Sequence, residues 1–180
     1  MRNTAVYETN EILPNQTKVQ YFFESEGIAC ISKVIEYSVI DFLGGRAVYN
    51  LGFGDYDTTN DTFLDDVNSN NGDLYPVFNT VLNTVPVFFR KFPDAVIMVG
   101  GSDSREEFLE ICKNSCKKKC TDICKNAHRR IKIYRYFVDK YFDELCQEYL
   151  FFGRVVSEGN TFVQYIPSKE YDEILVYRKK

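Results

Sequence analysis

The sequence predicts an α+β fold: a mostly antiparallel sheet of about five to six strands, two main helices, and a small Cys-rich helical insertion. Three observations carry this expectation. Runs rich in β-branched and aromatic residues, bounded by Gly, occur early and again late in the chain. Two long segments between them place apolar residues at every third or fourth position. No repeat or low-complexity linker interrupts the 180 residues, a length that suits one domain over 1–180.

The elements follow in order. VQYFFESEG (19–27) has strand composition and ends at Gly27, a tight connection to IACISKVIEYSVID (28–41), a second strand. Gly44-Gly45 turns the chain into RAVYNLGFGDYD (46–57), a third strand. An Asp-rich loop follows, and SNNGD reads as a helix start. Asn70 or Asn71 is the expected cap, with Asp73 in the first turn. The helix runs from about Gly72 to Lys91 on an apolar stripe of Leu74, Val77, Phe78, Val81, Leu82, Val85 and Phe88. Pro86 predicts a kink or break inside it. DAVIMVGGSDS (94–104) reads as a central strand buried on both faces. RRIKIYRYFVDKYFDELCQEYLFFG (129–153) reads as one long helix closed by Gly153. Two strands, NTFVQYIP (160–167) and YDEILVYRKK (171–180), complete the chain.

Composition bounds the function. The apolar fraction is 44% and the charged fraction 27%, ordinary for a folded soluble domain. No apolar run approaches the roughly 18 residues that span a bilayer, and the N-terminus has no signal-like stretch, so the expected location is cytoplasmic, away from membranes. A reducing compartment disfavours structural disulfides among the six cysteines. Residues 112–135 hold nine basic groups and one acidic, a net +8 within a chain of net −4, leaving −12 elsewhere. Lys117, Lys118, Lys119, Lys125, Arg129 and Arg130 are the candidates to grip phosphates of nucleic acid or an acidic protein partner, with Tyr134 and Tyr136 as stacking faces. Pairing of the same charges with the acidic surface of a second copy would make a homodimer.

Within this basic island, Cys112, Cys116, Cys120 and Cys124 recur every fourth residue and His128 continues the step. On one straight helix the first and last sulfurs would lie about 18 Å apart. One Zn²⁺ with Zn–S near 2.3 Å cannot span that. The stretch is therefore expected to fold as two C-x3-C arms around the Lys117–Lys119 turn, with the second arm leading into the next helix through Ile123 and Ala127. Four readings stay open: a structural Zn²⁺ site on the four cysteines with His128 as alternative ligand; a hairpin stapled by 112–124 and 116–120 disulfides; free cysteines; an iron–sulfur cluster or catalytic thiol. Cys30 and Cys146 read as core residues.

A second chemistry is visible in the loop. Asp55, Asp57, Asp65, Asp66 and Asp73 offer oxygen ligands for Mg²⁺. Together with Arg130 and Tyr134, one turn apart on the second helix, they would suit a metal-dependent nuclease or toxin whose catalytic candidates are Asp55, Asp73, Arg130 and Tyr134. The bland alternative is a solvated loop with helix caps. The single His excludes two-His mechanisms, and Ser102 or Ser104 in GSDS lacks the flanks of a nucleophile elbow.

NLGFGDYD (50–57), DDVNSNNGD (65–73), the GSDS turn (101–104), RRIKIYR (129–135) and YDEILVYRKK together resemble an uncharacterised family of small bacterial proteins, mainly from Bacteroidota, known as a domain of unknown function. The resemblance implies an α+β fold and no defined activity. It also suggests a setting in mobile-element, toxin–antitoxin or phage-defence modules. In many members of the family the GS turn leads almost directly into the R-x-R helix start, so residues 105–128 look like an inserted module. The function expected is a binding protein with a zinc-stabilised basic module, not an enzyme; the alternative is the Mg²⁺-dependent nuclease.

Overall fold

The computed structural model describes residues 5–64, 71–101, 103, 106–115, 118, 120–122 and 124–180. Its residues divide into two compact units, Met1–Ala95 and Val96–Lys180.

The first unit holds β1 (Asn10–Asn15), β2 (Lys18–Glu26), β3 (Cys30–Leu43), β4 (Arg46–Asp57), β5 (Thr62–Leu64) and α1 (Leu74–Lys91). The strands pair antiparallel in the order β1-β2-β3-β4, and β5 pairs with the end of β4. Period-two alternation sends Val19, Tyr21, Phe23 and Ser25 of β2 to one face, in register with Tyr37, Ile35, Lys33 and Ile31 of β3. Helix α1 covers that face. The Tyr37 ring stacks on Phe88 at 4.2 Å, Phe53 meets Phe78 edge-on at 5.0 Å, and the Tyr37 and Thr84 hydroxyls are 2.8 Å apart. Gly44 and Gly45, both at positive φ, make the β3–β4 turn.

The second unit holds β6 (Val96–Gly100), α2 (Glu106–Ser115), α3 (Arg129–Lys140), α4 (Phe142–Glu148), β7 (Tyr149–Arg154), β8 (Val163–Gln164) and β9 (Glu173–Arg178). β9 lies between β6 and β7, and β8 pairs with β7, all antiparallel. Ile131, Phe137 and Val138 give α3 its buried side.

The α+β class stands, but the expected five to six strands and two main helices do not. Nine strands and four helices form among the described residues. The additional strands are β1, β5 and β7. β1 is an exposed edge that tolerates Pro14 and β5 is only three residues long, while the strand expected over 160–167 shrinks to the two residues of β8. The segment expected as one helix over 129–153 breaks at Tyr141 (φ −113°, ψ 16°), restarts as α4, and turns to strand at Tyr149. The reason is tertiary: pairing with β9 and β8 holds Tyr149-Leu150-Phe151-Phe152-Gly153 extended, and their burial then alternates with period two. Conversely, α1 continues through Pro86 to Lys91. Pro86 is on the exposed side, where the carbonyl that loses its N–H partner meets water, and buried Phe88 and Phe89 hold the last turn on the sheet. No helix among the described residues is long and apolar enough to cross a membrane.

Candidate functional site

Helix α3 carries five basic side chains and one acidic, Asp139. Arg129, Lys132, Tyr136 and Lys140 are all exposed and recur at spacings of three and four, so they form one solvent-facing stripe. Exposed Lys125 sits in the turn just before it. Tyr136 is 48% exposed, and Lys140 Nζ lies 5.6 Å from its ring centroid. Tyr134 is different. At 6% exposure it belongs to the core, so it offers no stacking face. Burial, with the Asp103 charge adding, raises its phenol pKa against the lowering effect of Arg130, and the hydroxyl stays protonated at neutral pH. Arg130 is half-buried beside it.

The start of α3 is fixed by the preceding turn. The Asp103 side-chain Oδ2 accepts the Arg130 N–H at 3.0 Å, and its carbonyl accepts the His128 N–H at 3.3 Å. His128 takes the left-handed conformation before the helix (φ 56°) and directs Nδ1 to Asp172 Oδ1, 3.8 Å away, rather than to a sulfur. Asp103 thus serves as a remote N-cap, favoured further by the positive helix end. Asp103→Ala is expected to cost about 0.5–2 kcal/mol in urea denaturation, the range of cap removals. Unchanged stability would show the cap to be dispensable.

Of the candidate ligands, Cys112, Cys120 and Cys124 are described. Cys116, Lys117, Lys119 and Ile123 lie outside the described residues, as do Ser102 and Ser104. Cys112 is buried on α2, and its Sγ is 3.6 Å from Cys124 Sγ. Asn126 Nδ2 donates to Cys112 Sγ at 3.3 Å, while Asn126 Oδ1 accepts from Lys118 Nζ at 2.7 Å. The Lys125 N–H donates to Cys120 Sγ at 3.3 Å. The side chains of residues 112 and 124 therefore meet. Residues 125–128 form a turn, not the helical lead-in expected through Ala127. Among the described residues no three metal-ligating side chains gather at one point. Cys30 is exposed and Cys146 half-buried, so neither is the core residue expected. Cys30 is the first residue of β3 and lies beside Glu24, whose hydrogen bond raises its thiol pKa.

In the first unit, the described aspartates are already engaged. Lys33 Nζ meets Asp55 Oδ1 at 2.5 Å, and Lys33 is only 5% exposed. Asp57 accepts from Asn60 and Thr59 in its own turn, which lowers its carboxyl pKa. Asp61 accepts from Tyr56. Asp73 precedes α1 but makes no side-chain cap. Its Oδ2 instead accepts hydrogen bonds from Ser25 Oγ (2.5 Å) and Tyr7 OH (2.7 Å). Asp65 and Asp66 lie outside the described residues.

Asn71, the expected cap, is also used otherwise. Its side chain donates to Ser25 Oγ and the Ala29 carbonyl and accepts the Ala29 N–H, while its carbonyl accepts the Ile28 N–H. This staples the β2–β3 turn to the start of α1. Beside it opens a cavity of about 430 Å³ lined by Tyr7, Glu26, Ile28, Asp73, Tyr75 and Pro76, among others. Gly27 is needed here because an added Cβ would sit 1.9 Å from the Asn71 carbonyl oxygen. Gly27→Ala is expected to destabilise the fold by about 1–3 kcal/mol, the usual cost of overpacking; a melting temperature equal to that of the parent would contradict the staple. Sequence reasoning missed Ser25 and Tyr7. Ser25 was available, being in phase with Val19, Tyr21 and Phe23; Tyr7 has no comparable local signal.

Neither the curated proteins nor the solved structures contain a match to the chain. A family model described as a family of unknown function (DUF6934) matches residues 3–125. The matched region spans the first unit, β6, α2 and all four clustered cysteines, and stops before α3. The chain belongs to this family of unknown function, DUF6934.

Proposed function

We propose that this protein is a binding protein that docks single-stranded nucleic acid on the exposed side of α3, with the Cys stretch as a zinc-held support beside it. The observation that carries the reading is the stripe of Arg129, Lys132, Tyr136 and Lys140. It alternates cations with an exposed aromatic ring along about 16 Å of helix. Cations along a groove or stripe neutralise phosphates, and an aromatic ring accepts any unstacked base. Tyr136 is what favours nucleic acid over an acidic protein, which would use the charges but not the ring. The nuclease reading has less support, because Asp55 and Asp73 already take protein donors.

The zinc part rests on Cys112 and Cys124. Four thiolates in a tetrahedron around Zn²⁺ lie about 3.8 Å apart, given Zn–S near 2.3 Å. The observed 3.6 Å fits such an edge. A disulfide needs about 2.05 Å. The N–H donors from Lys125 and Asn126 to sulfur are of the kind that stabilise thiolates. Cys120 does not gather with this pair among the described residues, so it and Cys116 would have to close onto the pair to complete the set. Native mass spectrometry of protein purified under reducing conditions is expected to show one zinc per chain, absent in the Cys112→Ser/Cys124→Ser variant. Metal-free protein whose thiols titrate freely would overturn this part.

For the docking itself, the test is fluorescence anisotropy of a short labelled single-stranded RNA across a salt series. With Lys125, Arg129, Lys132 and Lys140 each neutralising one phosphate, log K is expected to fall with log salt at a slope of about −3. Absence of binding, or binding indifferent to salt, contradicts the reading. Mg²⁺-dependent cleavage of the RNA would favour the nuclease instead.

A further inference from the structure

The cavity beside Asp73 is not used by the proposed docking surface and lies wholly within the first unit. From its chemistry we infer a second site, for a small organic cation bearing a primary ammonium group on a short apolar body.

The floor is a carboxylate set for a donor. Asp73 is 9% exposed, and both of its hydroxyl donors, Ser25 and Tyr7, reach the same oxygen, Oδ2. Among the described residues no donor reaches Oδ1, although Asp73 lines the cavity. A carboxylate so deeply placed gains from an N–H donor on its second oxygen. The Tyr7 hydroxyl cannot switch to serve it. It is held between the Glu26 N–H, which it accepts, and Oδ2, and burial and the bond to Asp73 keep its pKa raised.

Charge sets the sign of the ligand. Among the described lining residues Glu26 and Asp73 carry charge, and no basic side chain accompanies them. The N-terminus of α1 contributes only about half a positive charge, which leaves the two carboxylates dominant. The lining suits an ammonium with a hydrocarbon tail: Tyr7, bonded to Asp73, and Tyr75 supply aromatic rings, and Ile28 and Pro76 supply apolar surface. Ile28 is 87% exposed, an unusual placement for an isoleucine at a cavity mouth. The frame is held together by the protein's own contacts. Asn71 ties both sides of the mouth together, and Tyr7 is pinned by stacking on Phe23 at 5.5 Å and by its N–H to Thr80 Oγ1. A volume of about 430 Å³ is at the small end for ligand sites, enough for a compact amine.

The experiment is a ¹H–¹⁵N NMR titration of the full chain with n-butylammonium, n-butanol, butyrate, tetramethylammonium and Mg²⁺ as separate probes. Saturable shifts are expected for the amides of Gly27, Ile28, Gly72 and Tyr75 with n-butylammonium only. Glu26→Gln, at the exposed rim, is expected to weaken binding several-fold, and Asp73→Asn at least tenfold if it folds. Equal shifts with butanol or butyrate would make the site merely apolar and overturn the inference. Equal shifts with tetramethylammonium would remove the N–H requirement, and shifts with Mg²⁺ in place of the amine would make it an inorganic cation site. No change of affinity in Glu26→Gln would equally defeat it.

Discussion

Replacing Arg129 and Lys132 together with glutamate is expected to weaken RNA binding by at least about tenfold at physiological salt and to lower the salt slope by about 1.4. The change in slope follows from two lost phosphate contacts at about 0.7 each on a single strand. The loss of affinity is larger than deletion alone because glutamate repels phosphate. Both residues lie on the exposed side of α3, away from Ile131, Phe137 and Val138, so the fold is expected to survive. Circular dichroism and a melting curve separate lost contacts from lost structure. Lys18→Glu, in the first unit and partly exposed beside Glu36, is the control and leaves binding unchanged. If the double variant binds like the parent, α3 is not the surface.

The largest effect on stability is expected from Phe88→Ala. Phe88 is fully buried where α1 meets the sheet, and its ring touches Tyr37, Tyr49, Phe89 and Phe92, with centroids 4.2 to 5.7 Å away. Truncation removes an aromatic ring and leaves a cavity walled by four others that cannot all collapse into it. The cost is about 3–5 kcal/mol, against a total of about 5–15 kcal/mol for a typical domain. Urea denaturation reads it directly as a lower midpoint. Phe42→Ala provides the contrast: that ring is largely solvent-exposed near the β3–β4 turn, so its removal is expected to change stability by about 0.5 kcal/mol or less. Comparable losses in the two variants would mean that α1 is not the element that closes this face.

What the sequence made legible followed from strong local pattern. The period-two run in β2, the Gly44-Gly45 turn and the apolar stripe of α1 all predict their elements to within a few residues. The failures have physical reasons. Tyr149-Leu150-Phe151-Phe152 is equally apolar as a helix end or a strand, and pairing with β9 and β8 decides for strand. A strand as short as β5 has no pattern to read, and within the strand expected over 160–167 only Val163 and Gln164 pair with β7; partners set the extent of both. Asn71 and Asp73 have the residue types of helix caps, and local chemistry predicts that use. Tertiary contacts to Ser25, Ala29 and Tyr7 instead take both side chains. The basic island was visible as composition, but which of its members face outward was not. Tyr134 and Tyr136 are two residues apart, and only the orientation of α3 puts the first in the core and the second in solvent.

That orientation makes Tyr136 the sharpest probe of the docking surface. A single-stranded RNA carrying a photoreactive uridine, irradiated in complex with the protein and mapped by mass spectrometry, should cross-link at Tyr136 and its α3 neighbours. The yield should fall in Tyr136→Ala and at high salt. Cross-links confined to the first unit, or a yield that survives both changes, would contradict α3 as the nucleic-acid surface.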